Sequence, residues 1–184
     1  MAAPAFIETF TGVRFQPLAP VVTAIKIEDI AHALSNQCRF SGHVRAHYSV
    51  AEHSVRVSEL LESWGADEHV QLWGLLHDAA EAYLVDLPTP LKACKRIGDG
   101  YRAAERRLMH AVRRRFSLRG AEPELVRRAD AVLLSTEVRD VMFAHPAHWA
   151  KLTEEPLPAR IRPWAPATAE YEFLRRYRFL AGGG

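Results

Sequence analysis

The sequence predicts an all-α fold, a bundle of about six or seven helices with a small β-hairpin at the N-terminus. Apolar residues recur at helical spacing over most of the chain, as Ile27, Ile30 and Leu34 illustrate. The length of 184 residues suits one domain, and an apolar fraction of 48% is ordinary for a globular protein. We therefore expect a single domain over residues 1–184, without internal repeats.

The first element is a hairpin arm within residues 1–20. Phe6–Phe10 and Val13–Phe15 are extended in character and flank a turn that contains Gly12. The prolines that follow end the arm, because proline lacks the N–H that a strand ladder needs.

Helices account for the rest of the pattern. A first helix covers Ile27–Leu34, and a second runs from about Ser49 to Trp64. A third is expected from about Asp67 to Val85; its centre is apolar on nearly every face, which predicts the buried central helix. The prolines at 86–90 must interrupt it.

The second half of the chain continues as helices separated by a long connection. Helices are expected at about 101–116 and 123–143. Five prolines within residues 146–166 predict an irregular wrap, and an amphipathic C-terminal helix should follow at 167–181.

Composition and charge narrow the class of protein. Cys38 and Cys94 are far apart and form no metal or redox motif, so we expect a reducing compartment and a cytoplasmic location. The N-terminus does not resemble a signal peptide, and no apolar stretch is long enough to span a bilayer. Eleven Lys and Arg against four acids within Lys95–Arg128 could attract phosphates or nucleic acid, or form a solvated helix face.

The chemistry is concentrated in the segment that contains His77, Asp78 and Glu81. Neighbouring His and Asp in an apolar segment are costly unless they are hydrogen-bonded or bound to an ion. Glu81 follows His77 by four residues, so a helix would place both on one face. This pattern suits a metal ion with a general base beside it.

Two more polar residues lie in apolar helical segments far along the chain, His53 and Asp130. Each alone is more simply explained as a hydrogen-bonded core residue, but four such residues together favour a metal site. Glu137 follows Asp130 by seven residues and faces the same way, so it could support the site or pair with Arg139.

The order His53, His77-Asp78, Asp130 resembles the metal-binding pattern of the HD-domain phosphohydrolase superfamily. The longer segments 52–54, 77–81, 86–92 and 129–130 resemble the bacterial 5'-deoxynucleotidase family and the phage dATP triphosphohydrolase family. The resemblance covers about residues 27–140 and implies an HD-domain helical bundle. The hairpin arm and the proline-rich segment depart from the 5'-deoxynucleotidases, which leaves the substrate open.

The resemblance also implies roles for individual residues. The metal ligands would be His53, His77, Asp78 and Asp130. Glu81 would be the catalytic carboxylate, and Asp86 a second catalytic acid near the attacking water or the sugar.

Substrate contacts follow from the same resemblance. Arg39 would bind phosphate, and Phe40 would take the place of a family tryptophan against the base or sugar. Lys92 would be a second phosphate contact. The polar connector around Gly42 adds two predictions of its own: His43 lines the phosphate pocket or remains in a surface loop, and His47 is structural.

A single divalent cation is expected. Dinuclear members of the superfamily carry additional histidines between the His-Asp pair and the final Asp, and only His110 lies in that stretch here. Mixed nitrogen and oxygen ligands suit Mn, Co, Zn, Ni or Fe without choosing among them.

The implied function is hydrolysis of a (deoxy)nucleotide phosphate ester by water that the metal activates. A dNTP triphosphohydrolase that releases triphosphate is the alternative. A nucleic-acid-binding helical module, using Arg102–Arg128, and a non-catalytic nucleotide or metal sensor are less favoured. The partner is then a small nucleotide rather than nucleic acid or a membrane, and the resemblance implies a homodimer or a higher homo-oligomer.

Overall fold

The computed structural model describes residues 5–143, 149 and 152–182, and it confirms an all-α bundle with an N-terminal hairpin. A short 3₁₀ helix at Val22–Ala24 and a turn at Arg39–Gly42 lie between the longer elements. The α-helices of the described chain are α1 (Ile27–Asn36), α2 (Val50–Ser63), α3 (Glu68–Leu76), α4 (Glu81–Leu84), α5 (Thr89–Ala93), α6 (Lys95–Arg115), α7 (Glu124–Asp140) and α8 (Pro166–Gly182).

The predicted hairpin arm is confirmed. Strands β1 (Ile7–Glu8) and β2 (Arg14–Phe15) pair antiparallel, with Ile7 opposite Phe15. The fully buried Phe15 ring stacks on Tyr83 at a centroid distance of 4.2 Å. Asp29 of α1 accepts hydrogen bonds from the backbone N–H and the hydroxyl of Thr11, at 2.7 and 3.0 Å. The arm is therefore attached to the bundle by both an apolar and a polar contact.

The central helix is α2, which packs against α1, α3, α7 and α8. Its N-cap is Ser49, whose hydroxyl accepts from the backbone N–H of Glu52 at 3.1 Å. α3 is buried, as its apolar pattern predicted: Gln71–Leu76 are buried, and α2, α7 and α8 cover the helix. α2 packs against α1 as well.

The prediction of a single third helix from Asp67 to Val85 is wrong, because α3 ends at Leu76 and α4 begins at Glu81. Between them the N–H groups of Ala79 and Glu81 bond to carbonyls three residues back, which tightens the turn. The His77 imidazole donates from Nδ1 to the carbonyl of Gly74 at 2.7 Å. In a continuous helix that carbonyl would accept from the N–H of Asp78. A side chain thus competes with the backbone where the helix ends.

The second half of the chain follows the predicted order with shifted ends. α6 begins at Lys95, six residues before the expected start, and α7 ends at Asp140 rather than 143. Residues 152–165 form no helix or strand, as expected for a proline-rich wrap, and α8 matches the predicted C-terminal helix. Residues 144–148, 150 and 151, which include His145 and His148, lie outside the described residues.

Arg176 of α8 is the buried polar link between α8 and the centre of the bundle. Its guanidinium donates to Ser58 Oγ at 3.0 Å and to Gln71 Oε1 and Glu62 Oε2 at 2.8 Å. α8 is thereby bonded to both α2 and α3. Within the described chain, none of the helices combines the length and the apolarity that a bilayer crossing requires.

Asp140, at the end of α7, fastens the proline-rich wrap to the bundle. Its carboxylate accepts from Arg139 and Arg160 at 2.7 Å and from the backbone N–H of Ile161 at 2.9 Å. Burial opposes ionisation, but the hydrogen bonds from Arg139, Ile161 and Arg160 lower the pKa of Asp140 to about 2.

This arrangement predicts an acid-sensitive contribution to stability. Asp140→Asn should lower the unfolding free energy by about 1–3 kcal/mol at neutral pH, because charge-assisted hydrogen bonds are lost. The folded pKa lies below the unfolded value of about 3.9, so the contribution is present above pH 4 and fades as pH falls toward 2. Urea unfolding at pH 7, 5 and 3 measures it.

Asp99→Asn is the matched control, because Asp99 pairs with Arg102 on an exposed surface. It should change stability by no more than about 0.5 kcal/mol. A difference between wild type and Asp140→Asn that stays constant from pH 7 to pH 3 would contradict the assignment.

Candidate metal centre

The structure brings His53, His77 and Asp130 together from three separated segments. His53 lies on α2, His77 follows the last residue of α3, and Asp130 lies on α7. One potential ligand atom from each of these residues lies within 4.8 Å of the other two. His53 Nε2 and Asp130 Oδ1 are 3.2 Å apart. The three residues could therefore hold one metal ion.

Asp78 borders this group with a second carboxylate. Its Oδ2 atom lies 3.2 Å from His77 Nε2 and 3.9 Å from His53 Nε2. About a quarter of its side chain is exposed, whereas Asp130 is nearly half exposed. The two carboxylates thus face the outside of the bundle while the imidazoles form the inner wall.

Both imidazoles are oriented so that they could coordinate a metal ion through Nε2. His53 Nδ1 donates to Glu137 Oε1 at 2.6 Å, and His77 Nδ1 donates to the Gly74 carbonyl at 2.7 Å. In each neutral imidazole the proton is on Nδ1 and the lone pair is on Nε2, because these acceptors bond to the Nδ1–H group. Both Nε2 atoms are buried without a hydrogen-bond partner in the described chain. Metal-binding histidines are typically held in this way.

The charges of the centre favour a cation. Burial opposes protonation of His77, yet the adjacent Asp78 carboxylate and the charge of Asp130 raise the pKa of His77 to about 10. Burial would raise the pKa of Asp78, but His77, His53 and Arg39 hold that pKa well below its usual range. A bound metal ion would take the place of protons that this negative surrounding otherwise retains.

Glu137 is a fully buried carboxylate that contacts both His53 and Arg39. Its Oε2 atom accepts from Arg39 Nε at 3.2 Å and Nη2 at 2.9 Å, while Oε1 holds His53. Although burial opposes ionisation, Arg39 and His53 lower the pKa of Glu137. Of the two roles that the sequence allowed, the structure shows the contact with the site, and Arg139 pairs with Asp140 instead.

Arg39 lies at the edge of the centre. Its remaining Nη1 atom is 3.8 Å from Asp78 Oδ2, and the side chain is 12% exposed. Phe40 and Ser41 follow it with φ of 54° and 53°, a left-handed conformation that costs energy in residues other than glycine. The Arg39 N–H bonds to the Tyr48 carbonyl at 2.9 Å. Such strain is common in backbone that positions a functional group.

Glu81 stands beside Asp78 with one free oxygen. Its Oε1 atom accepts from Lys92 Nζ at 3.0 Å, and its Oε2 atom is buried without a hydrogen-bond partner in the described chain. Burial and the negative charges of Asp78 and Asp86 raise the pKa of Glu81. A carboxylate with a raised pKa near a metal site is suited to taking up a proton.

Three other predicted site residues are the substrate contacts Lys92 and His43 and the second acid, Asp86. Lys92 Nζ contacts Glu81 at 3.0 Å and Glu105 at 3.2 Å, so in this structure it pairs with two carboxylates. The backbone N–H of Asp86 bonds to Gln37 Oε1 at 3.2 Å, close to Glu81. His43, by contrast, is exposed.

Phe40 is half-buried beside Arg39 and meets Trp149 edge to face at 6.4 Å. His47 donates from Nε2 to the Ser35 carbonyl at 3.1 Å, which agrees with the structural role expected for it.

Two buried residues were not predicted from the sequence, one that orients a candidate metal ligand and one that attaches the wrap to α2. Gly74 provides the carbonyl that orients His77, and a Cβ atom there would lie 2.4 Å from Leu61 Cδ1. The buried Glu52 accepts from Arg56 and, at 2.8 Å, from the backbone N–H of Trp164. A glycine inside an apolar helix and a Glu-Arg pair at i, i+4 were the available signals.

Comparison with known proteins gives relatives over nearly the full length. The chain is 37% identical over 180 residues to the uncharacterized protein YfdR of Escherichia coli (strain K12), covering 96% of both chains. It is also 37% identical over 183 residues to the uncharacterized protein RCAP_rcc00048 of Rhodobacter capsulatus, covering 92% of both. No protein-family model matches the chain.

The position of Glu137 predicts that it controls metal affinity without being a ligand. Glu137→Gln keeps the size of the side chain but removes the charge that holds His53 and Arg39, so metal should bind about 10–100-fold more weakly. Titration calorimetry with Mn²⁺ and Zn²⁺ measures this change.

Glu52→Gln serves as the control, since Glu52 is a buried carboxylate that contacts Arg56 and the wrap instead of the imidazoles. It should lower stability and leave metal affinity within about twofold of wild type, because no ligand orientation depends on it. Equal metal affinity of wild type and Glu137→Gln would show that Glu137 has no influence on the centre.

Proposed function

This chain belongs to the family that includes YfdR of Escherichia coli and RCAP_rcc00048 of Rhodobacter capsulatus, and we propose that it is a metal-dependent nucleotide phosphohydrolase. One observation carries the proposal. Two buried imidazole Nε2 atoms, which have no hydrogen-bond partner among the described residues, face two carboxylates at distances of 3.2 to 3.9 Å. The resemblance to the HD-domain phosphohydrolases supports the same conclusion.

His53, His77, Asp78 and Asp130 would hold a single divalent cation. Two nitrogen and two oxygen donors suit Mn, Co, Zn, Ni or Fe, and four protein ligands leave coordination positions for substrate. When bound, such an ion neutralises phosphate charge and lowers the pKa of coordinated water. The remaining chemistry belongs to the side chains around it.

Arg39 is the proposed phosphate ligand. Glu137 holds its Nε and Nη2 atoms, which leaves Nη1 directed toward Asp78 and the metal ligands. A guanidinium held in this way loses little freedom when an anion binds, and its charge stabilises the charge on the phosphoryl oxygens during transfer. The half-buried Phe40 ring next to it offers a surface for a base or a sugar.

Glu81 is the proposed general base. Its free Oε2 atom can accept a proton from the attacking water, while Lys92 fixes its Oε1 atom at 3.0 Å. Asp86 raises the pKa of Glu81 through its charge, which favours proton uptake. A sensor that only bound a nucleotide would not need this carboxylate. Free Cys38 and Cys94 agree with action in the cytoplasm.

A panel of nucleotides tests the activity directly. The purified chain would be assayed with dNMPs and dNTPs in the presence of Mn²⁺, Co²⁺, Zn²⁺, Ni²⁺ or Fe²⁺, and the released anion identified. Inorganic phosphate from dNMPs indicates the 5'-deoxynucleotidase reaction, whereas intact triphosphate from dNTPs indicates triphosphohydrolase activity. Metal and nucleotide binding without turnover would exclude both and favour a sensor.

Two substitutions should separate metal binding from catalysis. Asp78→Ala should lose both metal and turnover, because a ligand is removed. Glu81→Gln should retain the metal and lose about 10²–10⁴-fold in kcat, the usual contribution of a general base. Metal content by mass spectrometry and initial rates are the measurements.

Glu105→Gln is the matched control for Glu81→Gln, because it removes the other carboxylate that Lys92 contacts. Its rate should stay within about threefold of wild type, since no proton acceptor is lost. If Glu105→Gln and Glu81→Gln were equally slow, Glu81 would act only through Lys92 and the assignment as base would fail.

A further inference from the structure

A second concave site lies at the opposite end of α3 from the metal centre. It is a cavity of about 790 Å³ whose lining includes Arg113, Arg114, Arg115 and Arg119, with Glu68 as the single carboxylate among its described lining residues. Cavities of roughly 300–1,000 Å³ are typical of sites for small molecules. The arginines that line this cavity belong to the basic segment Lys95–Arg128, and the proposed phosphohydrolase reaction does not use them.

The cavity is separate from the metal centre. His69, near the start of α3, lines the cavity, and His77 follows it by eight residues. At a rise of 1.5 Å per residue, the two positions are about 12 Å apart along the helix axis. His53, Asp78 and Asp130 are not among the lining residues either.

The arginines of the cavity carry positive charge that no carboxylate neutralises. Across the described residues, Arg114 and Arg119 make no ion pair and no side-chain hydrogen bond, and both are exposed. Arg113 bonds to the Gly120 carbonyl, but its Nε atom is buried without a partner. Arg115 donates only to the carbonyl of Ile25, at 3.0 Å. The exposed guanidinium groups of Arg114 and Arg119 can therefore donate charge-assisted hydrogen bonds to an anion in the cavity.

Helix electrostatics explain only part of this cluster. Cations in the last turn of a helix are favoured by its dipole, and Arg113–Arg115 occupy the last turn of α6. Arg119 lies beyond the end of that helix, and it lines the same cavity. The dipole also gives no reason for a concave surface at this point.

Part of the remaining lining is apolar and aromatic, beside His69, His110 and Ser117. Tyr177 and Leu180 of α8 and Leu72 of α3 contribute to it, and the Tyr177 ring meets the Phe116 ring at 5.6 Å. We propose that the cavity binds a nucleoside polyphosphate. The arginines would contact the phosphates as charge-assisted hydrogen-bond donors, and the apolar wall beside Tyr177 would contact the base or sugar.

Binding of ATP and of inorganic tripolyphosphate tests the proposal. Titration calorimetry would use the full chain in EDTA at low salt, so that a metal-bound nucleotide cannot contribute. We expect both to bind, and we expect ATP to bind more tightly because its base or sugar would also contact the apolar wall beside Tyr177. Trp73 lies beneath Arg113, with its ring centroid 5.5 Å from the guanidinium carbon, so its fluorescence should also change.

The test variant is Arg114→Gln with Arg119→Gln, two exposed positions whose substitution leaves the core intact. It should weaken binding of both ligands by about tenfold or more, since each arginine supplies charged hydrogen bonds. Arg106→Gln with Arg175→Gln removes the same charge from exposed sites outside the cavity and should leave the affinity within about twofold.

Four outcomes would overturn the proposal. No binding of ATP at low salt would exclude an anion site of this kind. Unchanged affinity of the cavity variant would place the ligand elsewhere. Equal affinity for ATP and tripolyphosphate would remove the nucleoside from the assignment. Much tighter binding of a single-stranded DNA oligonucleotide than of ATP, lost in the cavity variant and with a steep salt dependence, would identify a nucleic-acid surface instead.

Discussion

The buried carboxylate of Glu137 is the constraint on which the candidate metal centre depends. A fully buried charge is tolerated only when it is paired and hydrogen-bonded. Here His53 and Arg39 supply the partners, so α7, α2 and the strained turn that begins at Arg39 must meet at one point. The same contacts fix the tautomer of His53 and leave one edge of Arg39 free. Stability and site geometry therefore follow from one interaction.

The second imidazole is held by a different means with the same result. His77 donates to the Gly74 carbonyl within its own chain segment, and this contact accompanies the end of α3. The tight turn that follows brings Asp78 beside His77 and His53 and places Glu81 at the start of the next helix. In a continuous helix, Asp78 and Glu81 would have stayed on the same straight element as α3. The break is thus part of how the site is built.

Much of this arrangement could be predicted from the sequence, because polar residues in apolar helical segments need partners. That logic identified His53, His77 and Asp130, which the structure brings together. The break after α3 could not be predicted from hydrophobic periodicity. That pattern gives no information on a hydrogen bond from a side chain to the backbone, such as the one from His77 to Gly74. The role of Glu137 remained open for a related reason, since its partner Arg39 lies 98 residues away in sequence.

The two concave sites share α3, but a shared helix does not by itself couple them. Coupling requires an element with two arrangements whose balance each ligand shifts. α3 is covered by α2, α7 and α8, and a Cβ atom at Gly74 would lie 2.4 Å from Leu61 Cδ1, so α2 and α3 are closely packed there. A helix packed this tightly keeps a fixed position, because protein interiors resist small displacements. α3 is therefore better described as a rigid spacer between the metal centre and the basic cavity than as a switch.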